Sequence, residues 1–138
     1  MKLLVNIDVG DLEKATRFYC EALGLRIGRR FDGSTELLGS DAPIYLLENA
    51  TGTQAFSRGQ KRDYARHWTP VHLDFAVADL PAAVARALAA GARLEQDIAA
   101  HAWGRIAMFS DPFGHGFCLL EFTGRGYDEI ALTQKGNG

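Results

Sequence analysis

The sequence predicts an α+β fold built from two tandem β-α-β-β-β modules. Two observations carry this expectation. The first is a duplication. Asp11-Leu12 and Asp79-Leu80 stand 68 residues apart, and the same shift lays Val9 on Val77, Ile7 on Phe75 and Ala15 on Ala83. Each helix pattern is followed by the pattern of three short strands, so one supersecondary unit occurs twice. The second is the run Ser110 to Phe122. Asp111, Pro112 and Gly114 occupy the first, second and fourth places of a type I turn. Pro112 presets its φ, and the Asp111 carboxylate can accept a local backbone N–H. The following Phe117 to Phe122 is almost wholly apolar, as in a buried strand, and with Arg105 to Phe109 it completes a hairpin.

The elements follow in order. Leu3 to Val9 alternates, with Val5, Ile7 and Val9 on one side and Leu4, Asn6 and Asp8 on the other, which is a half-buried strand. Asp11 is a helix N-cap. Leu12, Ala15, Phe18, Tyr19, Ala22 and Leu23 recur at helical spacing up to Gly24, which stops the helix. Strands are expected over Leu25 to Phe31, Thr35 to Leu38 and Pro43 to Glu48, with a hairpin turn at Asp32-Gly33. The first module thus runs over residues 2–48. The segment 49–70 is polar and long for a compact domain, so it reads as a linker or mobile loop, and its basic run Arg58 to Arg66 as a solvated one. The second module, 71–123, opens with a strand over Val71 to Val77. The cap Asp79, a helix over Leu80 to Ala90 and its stop Gly91 follow. Strands over Arg93 to Ile98, Arg105 to Phe109 and Gly116 to Phe122 complete it. Residues 124–138 form a polar tail, ordered at most in part.

Composition narrows the function. Fifteen basic against 17 acidic residues leave a net charge of −2, which gives no footprint for nucleic acid. No segment offers the ~18 apolar residues of a membrane span. Met1 to Asp11 holds no apolar signal core, so a cytoplasmic location is the expectation. Two cysteines, Cys20 and Cys118, make no disulfide framework and read as buried thiols.

The duplication and the Asp111-Pro112-Phe113-Gly114 hairpin together resemble the glyoxalase/bleomycin-resistance/dioxygenase superfamily, the vicinal oxygen chelate fold, over roughly residues 2 to 123. That resemblance implies a curved, cup-like, mostly antiparallel eight-stranded sheet with the helices outside and a ligand site within. It also implies a homodimer. Members with metal usually hold one divalent ion through four inward residues, and the matching positions here are Leu4, Tyr45, His72 and Cys118. Leu4 cannot coordinate, and Tyr45 binds well only as phenolate. His72 and Cys118 alone fall short of the three protein ligands of a catalytic zinc site. Glu48 and Glu121 each lie three residues beyond a family ligand position, and an odd shift on a strand places them on the other face.

The expectation is therefore a binding protein that needs no metal cofactor and holds a small organic ligand, as bleomycin-resistance and related sequestration proteins do. The alternative is a metal-dependent, glyoxalase-like lyase or isomerase using His72 with a rearranged Glu48 or Glu121. A ring-cleaving dioxygenase stands third, because Leu4 replaces one of its histidines. The expected ligand-binding face is Asn6, Asp8, Tyr45, Leu47, His72, Asp74, Trp103, Arg105 and Cys118, with no catalytic residue assigned. Asp8 and Asp74 serve there either as rim carboxylates in water or as an electrostatic match for a cationic ligand. His72 is either a hydrogen-bonded cavity residue or a group with a metal-binding or acid–base role.

Overall fold

A computed structural model describes residues 1–132. The first module is β1 (Val5–Val9), α1 (Leu12–Leu23), β2 (Arg26–Phe31), β3 (Ser34–Leu38) and β4 (Ile44–Glu48). The second is β5 (Leu73–Ala76), α2 (Leu80–Ala89), β6 (Arg93–His101), β7 (Gly104–Ser110) and β8 (Gly116–Phe122). The local signals act as read. The Asp11 side chain accepts from Lys14 N at 3.0 Å, and Gly24 ends α1 in the left-handed region at φ 67°. In α2, the Asp79 side chain accepts from Ala82 N, and Gly91 follows the last turn at φ 105°.

The eight strands divide four and four. The orders are β1-β4-β3-β2 and β5-β8-β7-β6, and among the described residues no ladder joins the halves. In each sheet the module's first strand pairs in parallel with its last, Val5 opposite Ile44 and Leu73 opposite Phe117. The other pairs are antiparallel. Ala15, Phe18, Tyr19 and Ala22 of α1 share one buried core with Leu80, Ala83 and Ala87 of α2 and with Val9, Leu37, Leu46, Ala107, Phe109 and Leu119 of the sheets. The apolar stripes of both helices therefore close on the sheets and on each other, which leaves the opposite sheet faces uncovered by any helix.

The duplication extends to a detail. Glu48 Oε2 accepts from Leu12 N at 2.7 Å, and Glu121 Oε2 accepts from Leu80 N at 2.7 Å. Each module thus ends its last strand with a carboxylate on the first turn of its own helix. There it satisfies an orphan N–H and meets the positive end of the helix dipole.

Four boundaries shift by two residues or more from the sequence reading, the first being β1, which starts at Val5 rather than at Leu3. The strand expected over Val71 to Val77 shortens to Leu73–Ala76, because Val71 and His72 lie on the exposed approach to β5. β6 runs on to His101, past the expected end at Ile98, with two register shifts against β7. The tail contributes a short 3-10 helix, α3 (Gly126–Glu129), which packs Tyr127 on Phe122 and Trp103. The rest of the expected tail, from residue 133, lies outside the described residues.

The segment between the modules is a strap rather than a free loop. Arg62 Nε pairs with Asp8 Oδ2 at 2.8 Å, and its Nη1 donates to Gln54 O at 2.6 Å. Tyr64 donates its hydroxyl to Asn49 O and packs edge-on against Phe113 and His115. Arg66 forks onto both oxygens of Glu95 at 2.7 and 2.9 Å. Two cations of the run expected to be solvated therefore tie the strap to each module in turn.

Candidate functional site

Strand alternation sets the helix-free faces. In β1 and β5 it turns Val5, Ile7 and Val9, then Phe75 and Val77, towards the core. That leaves Asn6 and Asp8, then His72 and Asp74, on the other side. The ladders place these residues beside the expected partners of β4 and β8: Asn6 opposite Tyr45, Asp8 opposite Leu47, and Asp74 opposite Cys118. Seven of the nine expected residues thus form two local groups, one per module.

In the second module His72 Nε2 lies 3.2 Å from Asp74 Oδ1. The Cys118 thiol lies beside the same carboxylate, and the donor atoms of the three all lie within 4.8 Å of one another. Burial, followed by the Asp74 charge and hydrogen bond, pushes the Cys118 thiol up to about 12. Thiol and imidazole both meet the Asp74 carboxylate, and a thiol raised in this way is not an activated nucleophile.

In the first module the neighbours of Tyr45 are residues that the sequence reading passed over. The Tyr45 hydroxyl donates to Glu36 Oε2 at 2.7 Å and accepts from Arg29 Nη2 at 3.0 Å. Arg29 Nη2 also donates to Glu36 Oε2 at 2.7 Å. The Arg29 guanidinium and backbone N–H, with the Tyr45 hydroxyl, hold the Glu36 carboxyl down to about 2. The Glu36 hydrogen bond comes first in raising Tyr45 above the ordinary phenol value, so the ring stays a phenol. Glu36 Oε1 crosses β2 over Gly28, where a Cβ would require the carboxylate to shift. Phe31 lies on Tyr45 with ring centroids 6.5 Å apart. The signal for this group was a lone acid in the apolar run Thr35 to Leu38, register partner to Tyr45.

Between the edge strands β1 and β5 runs a cleft of about 250 Å³. Asn6, Asp8, His72, Thr69 and His115 supply its polar wall, and Val5, Ile7, Phe75 and Phe117 its apolar one. Asp8 is fixed there by Arg62 at 2.8 Å and Asn49 Nδ2 at 3.2 Å, while His115 Nε2 meets the Asp8 carbonyl at 2.7 Å. Three expected ligand residues, Asn6, Asp8 and His72, therefore line one cavity. A larger cleft of about 460 Å³ opens towards the helices, lined by Ala22 and Leu23 of α1, Ala83 and Arg86 of α2, the turn 39–42 and β5, and it takes in Asp74.

Two expected contacts lie elsewhere. Arg105 has the parity of Ala107 and Phe109, both in the core, so it lies on the helix side of β7. There it pairs with Glu121 at 3.0 Å. Trp103 occupies the β6–β7 turn, stacked on His101 at 5.3 Å and against Tyr127, away from both clefts. Met108, the register partner of Cys118, holds the inward place that Arg105 was expected to take.

The metal sets inferred from resemblance do not fit either. Leu4 offers no donor, and Tyr45 is engaged as a phenol by Glu36. Glu48 and Glu121 are engaged at the helix N-termini, on the faces turned from His72, so the alternative set His72, Glu48 and Glu121 is not assembled.

Residues 4–120 match a family model described as a glyoxalase-like domain. No curated protein matches the chain. Among solved structures, the genomically encoded fosfomycin resistance protein FosX from Listeria monocytogenes superposes with a TM-score of 0.71 at 18% identity. That match covers 95% of this chain and 98% of that one. TioX from Micromonospora sp. ML1 gives 0.70 at 16% identity over 89% and 99%. A glyoxalase/bleomycin resistance protein/dioxygenase family enzyme from Burkholderia phytofirmans PsJN gives 0.69 at 20% identity over 87% and 97%. At these identities the likeness is one of fold.

Proposed function

The chain belongs to the glyoxalase-like domain family, and from that premise we propose that it binds a small organic ligand on its helix-free face, as a sequestration or resistance-type protein. The observation that carries the reading is the cleft of about 250 Å³ where Asn6, Asp8 and His72 converge on an apolar floor. Apolar walls with a few fixed polar groups are the usual make-up of a small-molecule site. Asp8 is held in advance by Arg62 and Asn49, and His72 lies against Asp74, which lowers the ordering that binding must supply at these two residues. FosX is a fosfomycin resistance protein on the same fold, and the reading takes over only the idea of resistance through a bound small molecule.

The working unit is a homodimer in this reading. Leu4, Phe31, Met108 and Phe122 are 38–49% exposed on or beside the helix-free faces, apolar surface that a second copy would cover. A second copy covering these faces would also wall off the clefts. Light scattering across a dilution series should give twice the chain mass. A monomer at every concentration would remove this part.

A thermal-shift screen of small planar molecules tests the binding, followed by calorimetric titration of hits. Asn6→Ala and His72→Ala should each weaken a genuine hit at least tenfold, about 1.4 kcal/mol. Hits indifferent to both substitutions would overturn the placement.

A further inference from the structure

We propose that the larger cleft, of about 460 Å³, is a second binding site, separate from the smaller one, and that it takes a free α-amino acid with a large apolar side chain. The duplication accounts for where it lies. The smaller cleft is lined by β1 as far as Asp8 and by the approach to β5 from Thr69. The larger is lined by β5 as far as Val77 and by the approach to β1 from Leu3. The modules thus exchange parts between the two clefts, which occupy opposite ends of the seam between β1 and β5. Side-chain size sets them apart. The shift of 68 residues lays Tyr19, which lines the smaller cleft, on Ala87. The ladders give two further counterparts. Val5 stands opposite Ile44 as Leu73 stands opposite Phe117, so Ile44 answers to Phe117 and, two residues earlier, Ala42 answers to His115. Three large side chains at one end of the seam are replaced at the other by two alanines and an isoleucine. Shortened side chains leave space where the surrounding structure does not collapse onto it.

The floor of this space is apolar, made by Leu23, Leu25, Ile44, Phe75 and Leu119, so the body of its ligand is apolar too. The mouth is charged. Arg86 of α2 and Asp41 of the turn 39–42 both line the cleft, and both are exposed. Gly24, at the end of α1, brings them to one rim. A Cβ at Gly24 would lie 3.4 Å from Arg86 Nη1, and a Cβ at Gly39 would lie 3.9 Å from Gly24 O. Among the described residues neither Arg86 nor Asp41 has an ion-pair partner, and they do not pair with each other. Asp74, the third charged residue of the lining, lies against His72 at 3.2 Å. A guanidinium suits a carboxylate, and a carboxylate suits an ammonium. A free amino acid carries both groups on one carbon, beside the side chain that the floor would bury.

The test uses the full chain, titrated by calorimetry with L-phenylalanine, L-leucine and L-tryptophan. At least one should bind saturably, one per chain. The same side chain without the amine, or without the carboxylate, should bind at least about tenfold more weakly; for phenylalanine these are 3-phenylpropionate and phenethylamine. Arg86→Gln and Asp41→Asn, both at exposed positions, should each weaken the amino acid by a similar factor. Ala42→Phe, which restores bulk where His115 stands at the other end of the seam, should abolish its binding. No saturable binding of any of the three, or binding that survives both Arg86→Gln and Ala42→Phe, would overturn the proposal. An amine-free acid that binds as tightly as the amino acid would overturn it as well. Loss of the amino acid in Asn6→Ala, which alters only the smaller cleft, would place the ligand there and overturn the second site. Hits in the smaller cleft are titrated against Arg86→Gln in parallel. Hits that persist while every amino acid fails to bind sink only this inference, and amino-acid binding without any such hit sinks only the earlier reading.

Discussion

The hydroxyl of Tyr19, on the helix of the first module, donates to Asp111 Oδ2 in the turn of the second. Both residues are buried, at 2% and 5% exposure. The other oxygen of Asp111 accepts from Phe113 N at 2.8 Å and His115 N at 2.9 Å. One carboxylate thus shapes the turn and ties it to the opposite module. Burial, and then the Asp111 charge, raise the Tyr19 hydroxyl well above its ordinary value, so it remains a donor throughout the working range. Tyr19→Phe leaves a buried acceptor without its partner and should lower stability by about 1–3 kcal/mol. Asp111→Ala removes three hydrogen bonds and should cost more, about 3–5 kcal/mol. Urea unfolding of both variants provides the check, and equal losses would show that the link to Tyr19 carries no weight of its own.

Gly114 and Gly33 have the same backbone and different surroundings. Their φ values are 78° and 77°. A Cβ at Gly33 meets nothing within 4 Å, whereas at Gly114 it would lie 2.6 Å from Tyr64 O and 2.9 Å from Ala65. Gly33→Ala should therefore cost only the left-handed conformation, about 1 kcal/mol. Gly114→Ala adds a backbone clash with the strap, and the total should reach about 2–4 kcal/mol. Equal losses would mean that the strap yields freely at this point.

Glu36 gives an acid-limb prediction. Its folded value is held down to about 2 from an ordinary 4.5, chiefly by Arg29. A depressed carboxyl contributes stability that is complete above its unfolded value and is lost as pH falls towards its folded one. The window is about pH 4.5 down to about pH 2. Glu36→Gln should flatten the decline of melting temperature across that window relative to wild type. Parallel declines would remove the Arg29 pairing as its cause.

Most of the architecture was legible because it depends on local signals that occur twice. The caps Asp11 and Asp79, the stops Gly24 and Gly91, and the alternation of β1 each act within a few residues. Asn6, Asp8, Tyr45, Leu47, His72, Asp74 and Cys118 could be assigned to one side of their strands for the same reason. Arg105 was misplaced although it shares strand parity with the apolar Phe109, which the fold buries. Trp103 was misplaced because a turn has no alternation to read. The partners of these side chains were not legible. That Arg29 crosses to Glu36 depends on the register shift between Ile27 and Arg30. That Arg62 reaches Asp8 depends on the path of a strap without periodic pattern.

Those partners alter the electrostatics of the cleft, and with it the ligand it should prefer. Asp8 and Asp74 enter the sequence reading as equivalent carboxylates. In the fold Arg62 pairs with Asp8 at 2.8 Å, and Asn49 covers its second oxygen. Asp74 lies against His72 and Cys118, and among the described residues no lysine or arginine pairs with it. The preference for a cationic ligand therefore passes to Asp74 alone. Matched pairs of planar amines and their neutral isosteres provide the measurement. Asp74→Asn should weaken the amine about tenfold more than the isostere, or about 1.4 kcal/mol of difference. Asp8→Asn loosens the Arg62 tether and so disturbs the wall itself, which should weaken both members alike. A selective loss in Asp8→Asn with none in Asp74→Asn would reverse the assignment. It would mean that Arg62 leaves Asp8 when a ligand enters, and that the strap moves with it.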